Sequence, residues 1–469
     1  MTNQRTTPTL DRRTFLKSST GLGSALLIGT PWAPAWGAVP MLTVGSRTIE
    51  VNKKPTKVFS VLGLNGKPGI LAQQGDRFSG GLLNSSGEPL QMHWHGQTKA
   101  PADQDRSRPG GGTLGLGETD LHDFELTPGT HWMHAHQLSE QQLLAAPMVA
   151  REKDAGDVQD VVVMLHDFAF RTPQEILAEL TGSSGHSGHG AGVGAIAKAL
   201  GRSHANDVRY DAYLANDRTL DDPEVVRVEK GGRVRLRIIN GGTATAFFVA
   251  VRGLSARCIA VDGSPCQPAR QPSYPLAPGQ RIDLLVEIPR QGGSFPLLAR
   301  VEGARFMTGI VLATANAPIS KLAVTSDKTH GMVGVGFETQ LRAIKPLSPK
   351  RPDKTFTAFL GEGPGYRWTI NGQVHGEHTA FDVNQGERVE MTFENPTTMM
   401  HPMHLHGHHF QVVAIGRRRF AGAVRDTLIV PVRTPVTIAF DANHKGAWFL
   451  HCHHLYHMAT GMMTEVRVG

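Results

Sequence analysis

Apolar and polar side chains alternate along two short stretches of the chain with the period of a β-strand. Between positions 234 and 238, valine, leucine and isoleucine alternate with arginines, and between 389 and 393, valine, methionine and phenylalanine alternate with glutamate and threonine. Successive side chains of a strand point to opposite faces, so both stretches predict half-buried strands. Other apolar stretches are short and end at Gly, Pro or Asp, which is typical of all-β sandwich domains.

The two stretches belong to a pattern that occurs three times. A Gly-x-Arg triplet with an asparagine nine positions after the glycine begins at Gly75, Gly231 and Gly386, so the starting glycines are 156 and 155 residues apart. A fixed period of this length predicts a repeated domain. We therefore expect three β-sandwiches in tandem.

A second pattern, Gly-x4-His-x-His, begins at Gly129 and again at Gly446. The residue between the paired histidines is Ala135 in the first case and Cys452 in the second. The middle repeat has the glycine, Gly293, but leucine and arginine replace its histidines. Only the third domain can then build a copper–thiolate site, and the middle domain is predicted to carry no copper and to position the other two.

The segment around Cys452 can serve two metal sites. If residues 449–453 form a strand, His451 and His453 project to one side and Cys452 to the other. The thiolate of Cys452, the imidazole of His457 and the thioether of Met462 are soft and borderline ligands of a blue-copper centre that lacks only its second histidine. The reverse side offers two imidazoles to a separate site.

Three further histidine pairs lie at 93 and 95, at 134 and 136, and within 401–408. In these four motifs, which occur in the family's order, the chain resembles the multicopper oxidases, the family of laccases and bacterial cuprous oxidases. The resemblance runs from about residue 45 to the C-terminus. It implies three cupredoxin-like Greek-key domains, at residues 40–160, 161–318 and 350–469, with a linker at 319–349.

The resemblance also implies a ligand set for four copper ions, one of type 1, one of type 2 and two of type 3. The type 1 copper would be bound by His401, Cys452, His457 and, as a weak axial ligand, Met462. The type 2 copper would be bound by His93 and His404. The type 3 pair would be bound by six imidazoles: His95, His134, His136, His406, His451 and His453. Zinc is disfavoured, because a structural zinc site closes with four ligands.

The implied reaction couples four one-electron oxidations to the reduction of dioxygen to water. Electrons would pass from the sulfur of Cys452 along the backbone to His451 and His453. A laccase-like oxidase of phenols ranks first, with a cuprous oxidase in periplasmic copper tolerance close behind, in part because Met399, Met400 and Met403 surround His401. An electron-transfer or copper-storage protein, or a structural family member without catalysis, is the minor alternative.

Two positions depart from the family pattern. Met133 replaces a tyrosine before a ligand histidine, which we interpret as a packing change. Met458 stands where bacterial members often carry an acidic residue thought to deliver protons to oxygen. Proton supply must then come from elsewhere, and Asp105, favoured over Asp103, is the predicted catalytic carboxylate.

The N-terminus predicts export. Arg12 and Arg13 precede a weakly apolar stretch and small residues at 33–38, the pattern of a twin-arginine signal peptide over residues 1–38. We expect a periplasmic or secreted protein, translocated folded by the twin-arginine machinery, without a membrane span and monomeric. The formal charge of +7 falls to +4 without those residues. A net charge this small does not indicate a nucleic-acid-binding protein.

Two local features remain open. An insertion at 171–207 begins with a predicted capping box at Thr172 and Glu175 and continues into a Gly/His-containing stretch with His186 and His189. A surface linker is favoured there over a copper-collecting or substrate-gating loop. Cys258 and Cys266 flank a predicted Asp-Gly hairpin turn and could form a disulfide in an oxidising compartment.

Overall fold

The computed structural model describes residues 41–182 and 205–469. The predicted export signal and the histidines at 186 and 189 lie outside the described residues. Within the described ranges no helix has both the length and the apolar character needed to cross a membrane.

The first domain consists of two four-stranded sheets, in the strand orders β2-β1-β4-β6 and β3-β8-β7-β5. Short 3-10 helices at Ala102–Gln104 and Leu138–Gln142 connect its strands. The strands are β1 (Leu42–Val51), β2 (Lys54–Gly63), β3 (Ile70–Gln73), β4 (Arg77–Asn84), β5 (Met92–His95), β6 (Thr119–Glu125), β7 (Gly129–Ala135) and β8 (Ala145–Arg151).

The second domain contains a six-stranded sheet, β10-β9-β12-β17-β14-β15, and a five-stranded sheet, β11-β19-β18-β13-β16. Helix α1 (Pro173–Leu180) lies between its first two strands. The strands are β9 (Gln159–Phe168), β10 (Ala212–Ala215), β11 (Val225–Arg227), β12 (Arg233–Asn240), β13 (Phe247–Val251), β14 (Arg257–Val261), β15 (Ser264–Ala269), β16 (Tyr274–Leu276), β17 (Arg281–Glu287), β18 (Ser294–Val301) and β19 (Met307–Ala313).

The third domain contains a seven-stranded sheet, β21-β20-β23-β29-β25-β26 with β27 beside β25, and a five-stranded sheet, β22-β31-β30-β24-β28. A 3-10 helix at Glu338–Gln340 precedes it, and helix α2 (Leu455–Ala459) follows β30. The strands are β20 (Lys354–Gly363), β21 (Arg367–Ile370), β22 (Phe381–Val383), β23 (Arg388–Glu394), β24 (His401–Leu405), β25 (Phe410–Ile415), β26 (Arg418–Arg419), β27 (Val424–Arg425), β28 (Thr427–Val430), β29 (Val436–Asp441), β30 (Gly446–Cys452) and β31 (Met463–Val468).

The three domains share one topology. Strands β4, β12 and β23, which carry the Gly-x-Arg repeat, each pair in parallel with the first strand of their own domain. In the second sheets, β3 with β8, β11 with β19 and β22 with β31 are also parallel pairs. Parallel neighbours require long crossovers between sheets, as Greek-key sandwiches have. The predicted all-β, three-sandwich fold is confirmed.

The repeated asparagine explains why the pattern recurs. Asn84, Asn240 and Asn395 are buried, and the side-chain amide of each donates to at least two backbone carbonyls of neighbouring loops. Each Oδ1 accepts from the backbone N–H two residues later. Because buried carbonyls need donors, this residue closes the end of the same strand in each domain.

The prediction of a half-buried strand is correct for β23 in the third domain and wrong for β12 in the second. β23 alternates buried and partly exposed residues as predicted. In β12 nearly every residue is buried, because Arg235 and Arg237 pair with Glu152 and Asp160 on the face expected to meet solvent. Arg237 also contacts Asp283 at 3.1 Å and is fully buried.

A helix capping box and a β-hairpin, both predicted from the sequence, are present in the second domain. Thr172 and Glu175 form the capping box at the start of α1, as predicted. Strands β14 and β15 form the predicted hairpin, with Asp262 at φ 48° and Gly263 at φ 75°, the left-handed pair of a type I′ turn. Cys258 and Cys266 are both free and buried, with their sulfurs 3.8 Å apart.

We expect Arg237→Met to lower the free energy of unfolding by about 3 to 5 kcal/mol, because it leaves the buried carboxylate of Asp283 without its cation and removes one of the two arginines that pair with Glu152 and Asp160. A urea titration of the purified variant measures this. Arg419→Met is the control: Arg419 pairs with Glu390 but is 61% exposed, so its loss should cost about 1 kcal/mol or less. Equal losses in the two variants would contradict the assigned role of the buried cluster.

Candidate metal centres

Two pairs of adjacent strands carry most of the predicted ligands. In the first domain, β5 pairs antiparallel with β7, which sets His93 opposite His134. In the third domain, β24 pairs antiparallel with β30, which sets His404 opposite His451. The eight histidines predicted for the trinuclear cluster are all buried, and rings from the two domains contact one another.

His93 and His404 form a pair of imidazoles that face each other. Their Nε2 atoms are 3.2 Å apart. The Nδ1 atom of His93 is 2.7 Å from the carboxylate of Asp105, and the Nδ1 atom of His404 is 2.8 Å from the carbonyl oxygen of Asp426. Each ring is therefore held by one nitrogen and presents the other to a common point.

A second group joins His136, His406 and His451. The Nε2 atom of His451 lies 3.2 Å from that of His136 and 3.0 Å from that of His406. The Nδ1 atoms of His406 and His451 are held by the carbonyl oxygens of Ser107 and Cys452. Three nitrogens from two domains thus converge on one position.

The third group contains His95, His134 and His453, whose ring centroids are 5.0 to 5.6 Å apart. His95 is held through Nε2 by the carboxylate of Asp426 at 3.0 Å. His95 Nδ1, His134 Nε2 and His453 Nε2 are buried and make no hydrogen bond. Because buried polar atoms are normally paired, three orphaned imidazole nitrogens in one group fit a bound metal ion.

Burial keeps seven of the eight rings neutral. It lowers the pKa well below the usual value in six of them, namely His93, His95, His136, His406, His451 and His453. Burial also lowers the pKa of His404 to about 4. A neutral imidazole has the free lone pair that a metal ligand requires, so the chemistry of the donor set suits copper.

The carboxylates beside the rings differ in charge. Burial raises the pKa of Asp105 to about 8, although the backbone N–H groups of Ser107 and Trp94 oppose the shift. Burial is the largest single effect on Asp426 and opposes its ionisation. The charges of Arg281 and His95, together with side-chain hydrogen bonds from Arg281 and His409, nevertheless hold that pKa well below its usual range. Arg281 donates to both carboxylate oxygens of Asp426, at 2.6 and 2.5 Å.

A separate group surrounds Cys452. Its sulfur lies 3.6 Å from His401 Nδ1 and 3.7 Å from His457 Nδ1, and the two nitrogens are 3.2 Å apart. Met462 is fully buried in the same core, and its carbonyl oxygen accepts from the N–H of Cys452. The three donors match the His2Cys set of a blue-copper centre. Burial raises the pKa of the Cys452 thiol, so a bound cation is needed to favour the thiolate.

Three carboxylates next to ligand histidines were not predicted from the sequence. They are Asp426 beside His95, Glu140 at 3.2 Å from His134 Nδ1, and Asp207 at 3.0 Å from His457 Nε2. Asp426 and His95 are 331 positions apart, so no linear motif joins them. The predicted contact of Asp105 with the cluster is present, through His93.

The middle domain, predicted to position its neighbours, contacts both of them, because Arg281 of β17 holds Asp426 of the third domain and contacts His131 Nδ1 of the first. One interpretation from the sequence needs correction. The methionines around His401 do not offer an exposed docking surface, since Met399, Met400 and Met403 are only 1%, 4% and 1% exposed. Core packing explains them. Met133 is likewise fully buried in the first domain.

Three cupredoxin-like sandwiches with a cluster of eight histidines and a separate group of donors around Cys452 define a copper-dependent oxidase. Family models described as multicopper oxidase match residues 160–317 and 347–469. Multicopper oxidase MmcO of Mycobacterium tuberculosis is 30% identical over 412 residues, which are 85% of this chain and 81% of that protein. The chain therefore belongs to the multicopper oxidase family. Copper binding, and the use of dioxygen with a reducing substrate, follow from that membership.

More distant relatives include a copper resistance protein and a laccase. Copper resistance protein A of Escherichia coli is 23% identical, over 97% of this chain and 99% of that protein. The crystal structure of the laccase from Botrytis aclada has a TM-score of 0.73 at 21% identity and covers 93% of this chain and 89% of the laccase. At this identity the likeness shows the shared fold.

We expect Asp105→Asn to weaken copper binding at the His93–His404 pair by about 10- to 100-fold, because the ring of His93 loses the carboxylate that orients it. Copper content after dialysis against a graded chelator measures the change. Asp103→Asn, in the short helix Ala102–Gln104 that ends just before Asp105, is the matched control and should retain its copper. Equal copper content in both variants would contradict the orienting role.

Proposed function

We propose that this protein is a laccase-like oxidase of phenols and similar donors that holds four copper ions. The type 1 ion is assigned to His401, Cys452, His457 and Met462. The type 2 ion is assigned to His93 and His404. The type 3 pair is assigned to two triads, one of His95, His134 and His453 and the other of His136, His406 and His451.

One observation carries the proposal. Cys452 faces His401 and His457, whereas His451 before it contacts His136 and His406, and His453 after it lies beside His95 and His134. A storage protein or a simple electron carrier needs no such link between two groups of donors.

Bound copper supplies the redox chemistry, with single electrons taken in at the mononuclear ion and four of them delivered to dioxygen at the three-ion cluster. The chain supplies placement. The backbone from Cys452 to His451 and His453 is the shortest covalent connection between the two groups. Arg281 and Asp426 fix His95 from outside the cluster, and burial of every ligand excludes water from the path.

Asp105 remains our proposed proton source for dioxygen. It is 5% exposed and lies 2.7 Å from His93 Nδ1, whereas Met458, at the position where an acidic residue was expected, has no ionisable group. Asp105 therefore combines a carboxyl group with direct contact to the cluster, and neither Asp103 nor Met458 does.

The donor is proposed to dock beside His457. The ring of His457 stacks on Trp368 at 3.8 Å, and its Nε2 is 3.0 Å from Asp207. Asp207 also accepts from the hydroxyl of Tyr366 and is more exposed, at 8%, than His457, at 1%. A phenol loses a proton as well as an electron, and the carboxylate of Asp207 is placed to accept that proton.

Cuprous oxidation is the second candidate. The copper resistance protein among the relatives favours it, and the burial of the three methionines near His401 weighs against it, because those soft thioethers are not exposed to an incoming cuprous ion. We further propose a periplasmic or secreted location, on the strength of the twin arginines alone.

We expect about four copper ions per chain and a deep blue colour for the copper-loaded protein, with oxygen uptake when a phenol is supplied. Cys452→Ser should abolish the colour and the uptake while most of the copper stays bound, because the eight histidines are unchanged. Metal analysis, absorption spectra and an oxygen electrode measure these. Parallel kinetics with cuprous ion decide the rank of the two donors. Zinc in place of copper, or colour that survives in Cys452→Ser, would refute the proposal.

We expect Asp207→Asn to lower kcat/KM for a phenol by about 10-fold or more, because general-base assistance is typically worth 10²- to 10⁴-fold. An electron donor that releases no proton, such as ferrocyanide, should lose much less. Steady-state oxygen uptake with both donors measures the ratio. The exposed Asp382 provides the control variant, Asp382→Asn. Equal losses for the two donors would mean that Asp207 acts only by orienting His457.

A further inference from the structure

His454 is a fourth metal-ligating side chain at the mononuclear site. One ring nitrogen of His454 and the ligand atoms of His401, Cys452 and His457 all lie within 4.8 Å of one another. The ring of His454 is 4.8 Å from that of His457, nearly perpendicular to it, and 6.2 Å from that of His401. The residue is 1% exposed, so its imidazole belongs to the interior of the site.

The local backbone fixes this position. His454 lies between the end of β30 and the start of α2, where φ is −73° and ψ is 113°. Its backbone N–H donates to the sulfur of Cys452 at 3.4 Å, which anchors the residue against the thiolate. The helix then returns His457 to the same group. A segment of six residues, from Cys452 to His457, thus delivers one sulfur and two imidazoles.

The chemistry of blue-copper sites gives an added imidazole a specific effect. In such sites two histidines and a cysteine form a trigonal plane, and a weak axial donor tunes the reduction potential. An imidazole nitrogen binds cupric ion more strongly than a thioether does. A second axial donor would therefore stabilise the oxidised ion and lower the potential.

We propose that His454 is an additional, weak axial donor to the mononuclear copper, acting together with Met462. The inference rests on the proposed function, since it presumes that His401, Cys452 and His457 bind the type 1 ion. It narrows the substrate class, because a low potential restricts the enzyme to strongly reducing, electron-rich phenols. Packing of a neutral histidine in the core would place the same ring there without any effect on the copper.

The test is a redox titration of the blue absorption in the full-length, copper-loaded protein and in His454→Leu. At a fixed solution potential, the ratio of reduced to oxidised mononuclear copper should rise about tenfold in the variant, equivalent to about 59 mV for one electron. The electron paramagnetic resonance signal should become more axial. His122→Leu, which removes a buried histidine of the first domain, is the control and should change neither quantity.

A second measurement needs no variant. Electron–nuclear double resonance on wild-type protein labelled with nitrogen-15 histidine should resolve three imidazole couplings to the mononuclear copper, and two would overturn the inference. An unchanged ratio and signal in folded, blue His454→Leu would overturn it as well. Failure of the proposed function has a different signature, because the wild-type protein would then lack the blue colour that depends on Cys452 or would show no oxygen uptake with a phenol.

Discussion

The alternation of side chains at the end of β30 is the constraint on which the rest of the structure depends. A strand cannot point two adjacent side chains to the same face, so Cys452 and His451 must serve different groups of donors. The pairing of β30 with β24 then supplies the partners, because it brings His404 opposite His451 and Met403 opposite Cys452. Two metal groups joined by a covalent segment follow from local geometry and one strand pair.

Eight buried imidazoles need charged groups to hold them in place. Asp426 does most of this, since it contacts His95 and is itself held ionised by Arg281 from the middle domain. The same carboxylate therefore ties together three domains at one point. Arg281 of the middle domain thus stabilises a buried carboxylate that would otherwise be costly.

The cysteine side of the site is organised differently. Trp368 packs on the ring of His457 and encloses the donors around Cys452. Asp207 and Tyr366 lie at the more exposed edge of this group. At this edge a carboxylate beside a ligand ring is 8% exposed, and β30 lies between this group of donors and the histidine cluster. In our proposal the imidazole of His454 tunes the reduction potential of the mononuclear copper and does not act on the histidine cluster.

The sequence alone predicted the number of domains and their class, because strand periodicity and a repeat period can be read along the chain. The resemblance to the multicopper oxidases, carried by closely spaced histidines, implied the ligand histidines that the structure brings together. The sequence also indicated Asp105, which is close to His95 in sequence. It could not divide the six remaining histidines into two triads, find Asp426 at a distance of 331 positions from His95, or tell that β12 is buried on both faces. These depend on how the domains pack, because burial and the pairing of charges arise only when distant segments share one interior.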